Sequence, residues 1–229
     1  MLENISVILA LAGLLFSLIN FLILARRERY GHNAKVNLEI NRNALKLVGH
    51  ELKDEASANH LLKEIAMLIN DIYPQSNARI FVKLISEIDF DNPGKSQVIT
   101  WLSFPDTKTV LSSKYTINQN TELEYVFING NQYFFVSDIN DSKSLGSYIT
   151  QDKDSSKWLN TVIVYPICKK QDSGSNHIIG FLSVASPKKF NNVKKNEQIL
   201  EIVRLAANKL YDFIQRKQKD TESTLSENQ

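Results

Sequence analysis

Two stretches decide how this sequence folds: TVIVYPIC (residues 161–168) and IIGFLSVAS (residues 178–186). Both are dense in β-branched and aromatic residues and too short for a stable helix, so each reads as a strand. Between them lies Asp172-Ser173-Gly174-Ser175-Asn176, a run of turn formers that brings the two strands together as an antiparallel hairpin. Upstream, RIFVKLIS (79–86) and QVITWLSF (97–104) form a second strand pair across Asp91-Asn92-Pro93-Gly94, and QYFFVSD (132–138) supplies a fifth strand.

Helical patterns surround these strands. Leu61, Leu62, Ile65, Ala66, Leu68, Ile69 and Ile72 keep helical spacing after a cap at Asp54 or Ser57, until Pro74 ends it. A short helix is expected over Thr121–Ile128. A long one is expected over Val193–Lys217, where Ile199, Ile202, Val203, Ala206, Leu210, Phe213 and Ile214 share one side. The polar end, residues 218–229, reads as a disordered tail. The order predicts an α+β fold, an antiparallel sheet of about five strands with helices packed on it.

On these residues the chain resembles the GAF family. Trp158–Ile167 and the strand carrying Ile179-Gly180, followed by Phe190 and the helix from Glu197, are similar to the C-terminal half of such a domain. Tyr133–Ile139 with Tyr148 is similar to its central strand and loop. The resemblance covers residues 57–217 and implies a sensory or dimerising module that signals to a separate effector. It also implies a sensory cavity lined by Phe135, Tyr148 and Trp158, with Asp138 as polar contact. The same aromatics would equally serve as filled core. Where cyclic-nucleotide binders carry Asn-Lys, Phe and Asp-Glu, this chain keeps only Phe190 and Glu197.

The N-terminal region has a different character. Ile5–Ala25 is 21 residues without a charge, about 31 Å as a helix, which matches one hydrocarbon core. Residues 1–4 carry no Lys or Arg, whereas Arg26, Arg27 and Arg29 follow the span. The reading is an uncleaved single-pass anchor in the inner membrane, with the rest of the chain in the cytoplasm. Ser6, Ala10, Gly13, Ser17 and Asn20 line one face of that helix, a stripe that suits either close self-association or ordinary membrane composition. Residues 26–56 form a basic juxtamembrane segment and a linker helix over Asn33–Glu55. Its Leu38, Leu45 and Leu52 fit a homodimeric coiled coil or a helix packed on its own domain.

Composition narrows the function classes. With 27 basic and 25 acidic residues the net charge is +2, which excludes a polyelectrolyte, and a single Cys168 excludes an internal disulfide. His32, His50, His60 and His177 form no metal spacing, and no glycine-rich phosphate loop or nucleophile elbow occurs. The expectation is therefore no metal, no cofactor and no catalysis. Lys169-Lys170, Lys188-Lys189 and Lys194-Lys195 read as solvated turn lysines beside the anionic leaflet, and nucleic acid is not an expected partner. The expected role is a membrane-tethered sensory module binding a small molecule or a second copy of itself. The alternative is a scaffold that holds a partner protein at the inner leaflet.

Overall fold

Asp54 opens the first helix by a reciprocal cap. Its carboxylate accepts from the Ser57 amide at 2.8 Å, and the Ser57 hydroxyl accepts from the Asp54 amide at 3.0 Å. The computed structural model describes Gly49 and residues 51–105, 114–139, 159–170 and 176–227. From that cap, α1 (Glu55–Ile72) leads to β1 (Arg79–Glu87), β2 (Gln97–Phe104), β3 (Lys114–Thr116), α2 (Thr121–Phe127), β4 (Phe134–Val136), β5 (Thr161–Lys170), β6 (Asn176–Ser186) and α3 (Val193–Glu227).

The strands form one six-stranded antiparallel sheet in the order β3-β2-β1-β6-β5-β4. Both predicted hairpins are present, β1 with β2 and β5 with β6. The sixth strand, β3, escaped the sequence reading because three residues, Lys-Tyr-Thr, carry no alternation of their own. α3 runs past the predicted end at Lys217 to Glu227, since no Gly or Pro interrupts it. The predicted disordered tail is thus helical over most of its length.

The first core lies between the helices and one face of the sheet. Leu62, Ile65 and Ile69 of α1, Ile80 and Val82 of β1, and Val203, Leu210 and Phe213 of α3 are all buried there. It is sealed at one end by the turn after α1 and the link into α3. The Phe190 ring stacks on Tyr73 with centroids 4.4 Å apart, and the Tyr73 hydroxyl donates to Asn196 Oδ1 at 2.8 Å. Burial lifts the Tyr73 pKa above its ordinary value against the opposing Asn192 amide. Phe190, which the resemblance set in a nucleotide motif, is here a fully buried core residue.

The lysine pairs hold the same corner. Lys195 Nζ donates to the Ile72 carbonyl at 2.9 Å and Lys188 Nζ to the Pro74 carbonyl at 2.5 Å, covering carbonyls at the end of α1. Lys189 pairs with Asp138. These three are structural ties, not freely solvated turn residues.

The linker helix is corrected at its described end. Gly49 is helical, but residues 51–54 are not, and Leu52 is buried in the domain. Arg216 fixes that segment, donating to the Leu52 carbonyl at 3.1 Å and pairing with Glu51 at 3.0 Å. Leu52 therefore packs on its own domain and is unavailable to a coiled coil. The predicted span 5–25, with its stripe, lies outside the described residues. Among the described residues, no helix is long and apolar enough to cross a membrane.

Candidate functional site

Strand alternation sets the chemistry of the opposite face. In β1, Ile80 and Val82 face the helices, so Phe81, Lys83 and Ile85 face the other way. There a second core gathers Val98, Tyr115, Ile117, Leu123, Val126, Val162, Val164 and Phe181, with Ile85, Phe134 and Val136 against it. Lys83 carries a charge at the edge of this largely apolar cluster. It pairs across the sheet with Phe181 on one side and Thr100 on the other, beside a register shift between Val82 and Lys83. Such bulges re-aim a side chain. Gly180 keeps the neighbouring backbone close, because a Cβ there would strike the Lys83 carbonyl oxygen and Leu84.

Four further polar groups point into this core. Glu122 stands one turn before Val126 on the buried side of α2, and only 5% of its surface is exposed. Its Oε2 has no hydrogen-bond partner, and neither do the Tyr115 hydroxyl, the Ser183 Oγ or the Asn120 Nδ2. Ser183 pairs with Phe81 and Val164, which makes it the diagonal neighbour of Lys83, about 7–8 Å away. The Lys83 ammonium lies 5.6 Å from the Tyr115 ring centroid, within cation–π range.

Lys83 and Glu122 attract each other without touching. Burial pulls the Lys83 pKa down, but the neighbouring Tyr115 and Glu122 outweigh it, and the value stands above the ordinary 10.5. Yet no ion pair within 4.0 Å joins Lys83 to Glu122 among the described residues. The Tyr115 hydroxyl lies near enough to the ammonium to help raise its pKa, though it makes no hydrogen bond of good geometry. Burying a carboxylate oxygen and two hydroxyls unpaired costs about 1–3 kcal/mol each, and among the described residues most such side-chain atoms lie here, Ser76 Oγ after α1 being another.

Of the residues expected to wall a cavity, Phe135 lines an open cleft of about 520 Å³ together with Tyr125, Asn131 and Tyr133. Phe135 pairs with Ile163 and alternates with Phe134 and Val136, so it projects from the helix-facing side of the sheet. Asp138 is nearly buried at the end of β4 and is bound by Lys189. Tyr148 and Trp158 lie outside the described residues. Sequence reasoning passed over Lys83, Tyr115, Glu122 and Ser183, although a single lysine in RIFVKLIS and a glutamate four before Val126 both break an apolar face. A separate open cleft of about 430 Å³ runs between β5 and α3, lined by Tyr165, Cys168, Arg204 and Tyr211. There Glu201 holds Arg204 by two hydrogen bonds of 2.7 and 2.5 Å.

No protein-family model matches the chain, and no curated protein matches it in sequence. Among solved structures it is similar to a GAF sensor protein from Burkholderia vietnamiensis. The TM-score is 0.49 at 11% identity, covering 76% of this chain and 93% of that one. It is also similar to the GAF domain of an Acinetobacter phosphoenolpyruvate-protein phosphotransferase, with TM-score 0.48 and 8% identity over 76% and 91%. A third is fRMsr of Staphylococcus aureus in complex with substrate, with TM-score 0.47 and 18% identity over 76% and 95%. The fold is GAF-like, as its element order predicted. At these identities no residue role carries over.

The expectation of no catalysis is corrected by the third of these. fRMsr is a free methionine-R-sulfoxide reductase, so a GAF-like fold can be catalytic, and its absence of sequence signatures does not make this chain a non-enzyme. The physical reason is that active sites are grafted onto the loops of a scaffold, where scattered residues converge without a linear motif.

Proposed function

We propose that this chain is a sensory or regulatory module that takes up a small molecule on the sheet face carrying Lys83, Tyr115, Glu122 and Ser183. The observation behind the reading is that the Tyr115 hydroxyl, Glu122 Oε2 and Ser183 Oγ of that face are buried with no protein partner. Buried groups of this kind are completed by water, an ion or a ligand, and a ligand is the completion proposed for this face. In this reading the apolar span 5–25 tethers the module to the inner membrane with its domain in the cytoplasm, and the small-residue stripe pairs two copies. Ligand occupancy then passes to a separate effector protein.

The test is native mass spectrometry of the full chain, purified in mild detergent from its own host, with melting measured against a panel of metabolites and nucleotides. A bound small molecule, or a melting shift that disappears in Lys83→Met and Glu122→Gln, is the expected result. Neither a bound mass nor any shift would remove the ligand-binding role. For the tether, a reporter fused after Gln229 should be active only on the cytoplasmic side.

A further inference from the structure

β4 covers only part of the outer edge of β5. It pairs with Val162–Val164, and Tyr133 just before it still lies along β5, its ring stacked on Tyr165 with centroids 6.2 Å apart. The chain upstream turns at Gly130, whose φ is +66°. From Ile167 to Lys170 the strand is bonded to β6 on its inner side, and among the described residues no strand pairs with its outer side. An unpaired edge presents backbone N–H and C=O groups to whatever lies beside it. Here that is the open cleft of about 430 Å³, bounded by Pro166, Cys168 and Lys169 of β5 and by Arg204, Tyr211 and Lys219 of α3. A groove between a strand edge and a helix is the shape that takes up an extended peptide as an added strand.

The edge is also guarded. Pro166 withholds a donor, the register with β6 shifts between Ile167 and Cys168, and Lys169 stands exposed at its end. Prolines, bulges and lysines on an edge deter pairing between copies of the same chain. Around the cleft Lys169, Arg204 and Lys219 outnumber Asp212, and Glu201 holds the partly exposed Arg204 guanidinium in place. Two copies meeting edge to edge would set Lys169 against Lys169, whereas an acidic strand would meet opposite charge. The same residues that reject one partner select the other.

We propose that the outer edge of β5, residues 167–170, takes up an acidic, extended segment of a partner protein as an added strand, its carboxylates set against Lys169, Arg204 and Lys219. Backbone hydrogen bonds supply the attachment and the basic cleft supplies the choice of sequence. This surface lies apart from the face carrying Lys83, and the inference does not depend on the small-molecule role.

The experiment titrates the full chain in detergent with an alternating Glu-Val octapeptide, its Gln-Val and Lys-Val counterparts, and two Glu-Val forms, each N-methylated on one alternate set of residues. The Glu-Val peptide should bind at least tenfold more tightly than either counterpart. One of the methylated forms should lose binding and the other keep it, because an added strand bonds through one of its edges. Amide exchange at residues 167–170 should slow in the complex. Lys169→Glu should shift the preference from the Glu-Val toward the Lys-Val peptide, a reversal that a folding defect does not produce. No binding up to millimolar peptide overturns the inference and leaves an edge that is only guarded. Binding that is indifferent to both methylations, or that leaves exchange at 167–170 unchanged, overturns it in favour of charge attraction alone. Exchange there that slows with rising protein concentration and no peptide assigns the edge to a second copy and overturns it as well.

Discussion

The two faces of the sheet share their strands and differ in how completely their polar groups are paired. On the helix side, the core is aliphatic and aromatic, and the polar groups at its edge close on one another: Tyr73 on Asn196, Asn196 on the Phe190 carbonyl at 2.9 Å, and Phe190 N–H on Thr161 Oγ1 at 3.1 Å. On the opposite side, Lys83, Tyr115, Glu122 and Ser183 are set into an apolar cluster without closing. The same alternation that makes one face stable makes the other chemically specific. Stability is concentrated in the first face, and the proposed recognition role falls on the second, the division expected when a site is held at some cost to folding.

The comparison breaks most visibly on the stable side. Phe190→Ala should remove about 3–5 kcal/mol, because it deletes a fully buried ring stacked on Tyr73, and urea unfolding measures the loss. If the two faces are separable, the variant that still folds should keep its ligand preference. Gly180→Ala joins the faces, since its Cβ would press on the Lys83 carbonyl oxygen from the neighbouring strand. A loss of about 1–3 kcal/mol is expected, accompanied by weaker ligand binding because Lys83 is displaced. Full binding with reduced stability would show that the Lys83 position tolerates the shift.

The smallest effect should come from the cap. The Ser57 amide and hydroxyl hold the Asp54 carboxylate below its ordinary pKa of 3.8. Its contribution is therefore present above pH 3.8 and lost as the pH falls through the lowered value. Asp54→Ala should be slightly less stable than wild type at pH 7, and the two urea midpoints should converge toward pH 3. A gap of constant size across that range would assign the effect to something other than the capped carboxylate.

The scaffold was largely legible in the sequence, because hairpin turns and strand composition are local signals. β5 and β6 pair as the predicted hairpin, Asp91–Gly94 sits where β1 turns back into β2, and Asp54 caps α1. Heptad spacing left two surfaces open for Leu52, and the structure selects its own domain, where α3 holds the segment; what the sequence misplaced is the helix end, since residues 51–54 are not helical. The charged cluster on the opposite face escaped the sequence reading for a related reason. Attention fell on the aromatics of residues 132–138, but pairing register puts Phe135 and Phe134 on opposite faces. The residues passed over were charges out of place, Lys83 in β1 beside a register shift and Glu122 in α2, and no local pattern announces that tertiary placement.

The most direct measurement of the central claim is a double-mutant cycle on those two charges, read by urea unfolding of the full chain without added ligand. Lys83→Met leaves the buried Glu122 carboxylate without its neighbouring cation and Glu122→Leu leaves the half-buried Lys83 ammonium without its neighbouring anion, so each single variant should be about 1–3 kcal/mol less stable than wild type. The Lys83 contribution should hold up to its ordinary pKa of 10.5 and fade as the pH rises through its elevated value. With both replaced, the face becomes uniformly apolar, and the double variant should be at least as stable as wild type, by up to about 4 kcal/mol, while binding no ligand. If instead the double variant loses the sum of the two single losses, Lys83 and Glu122 are independent structural residues, and the account of this face as a recognition site is wrong.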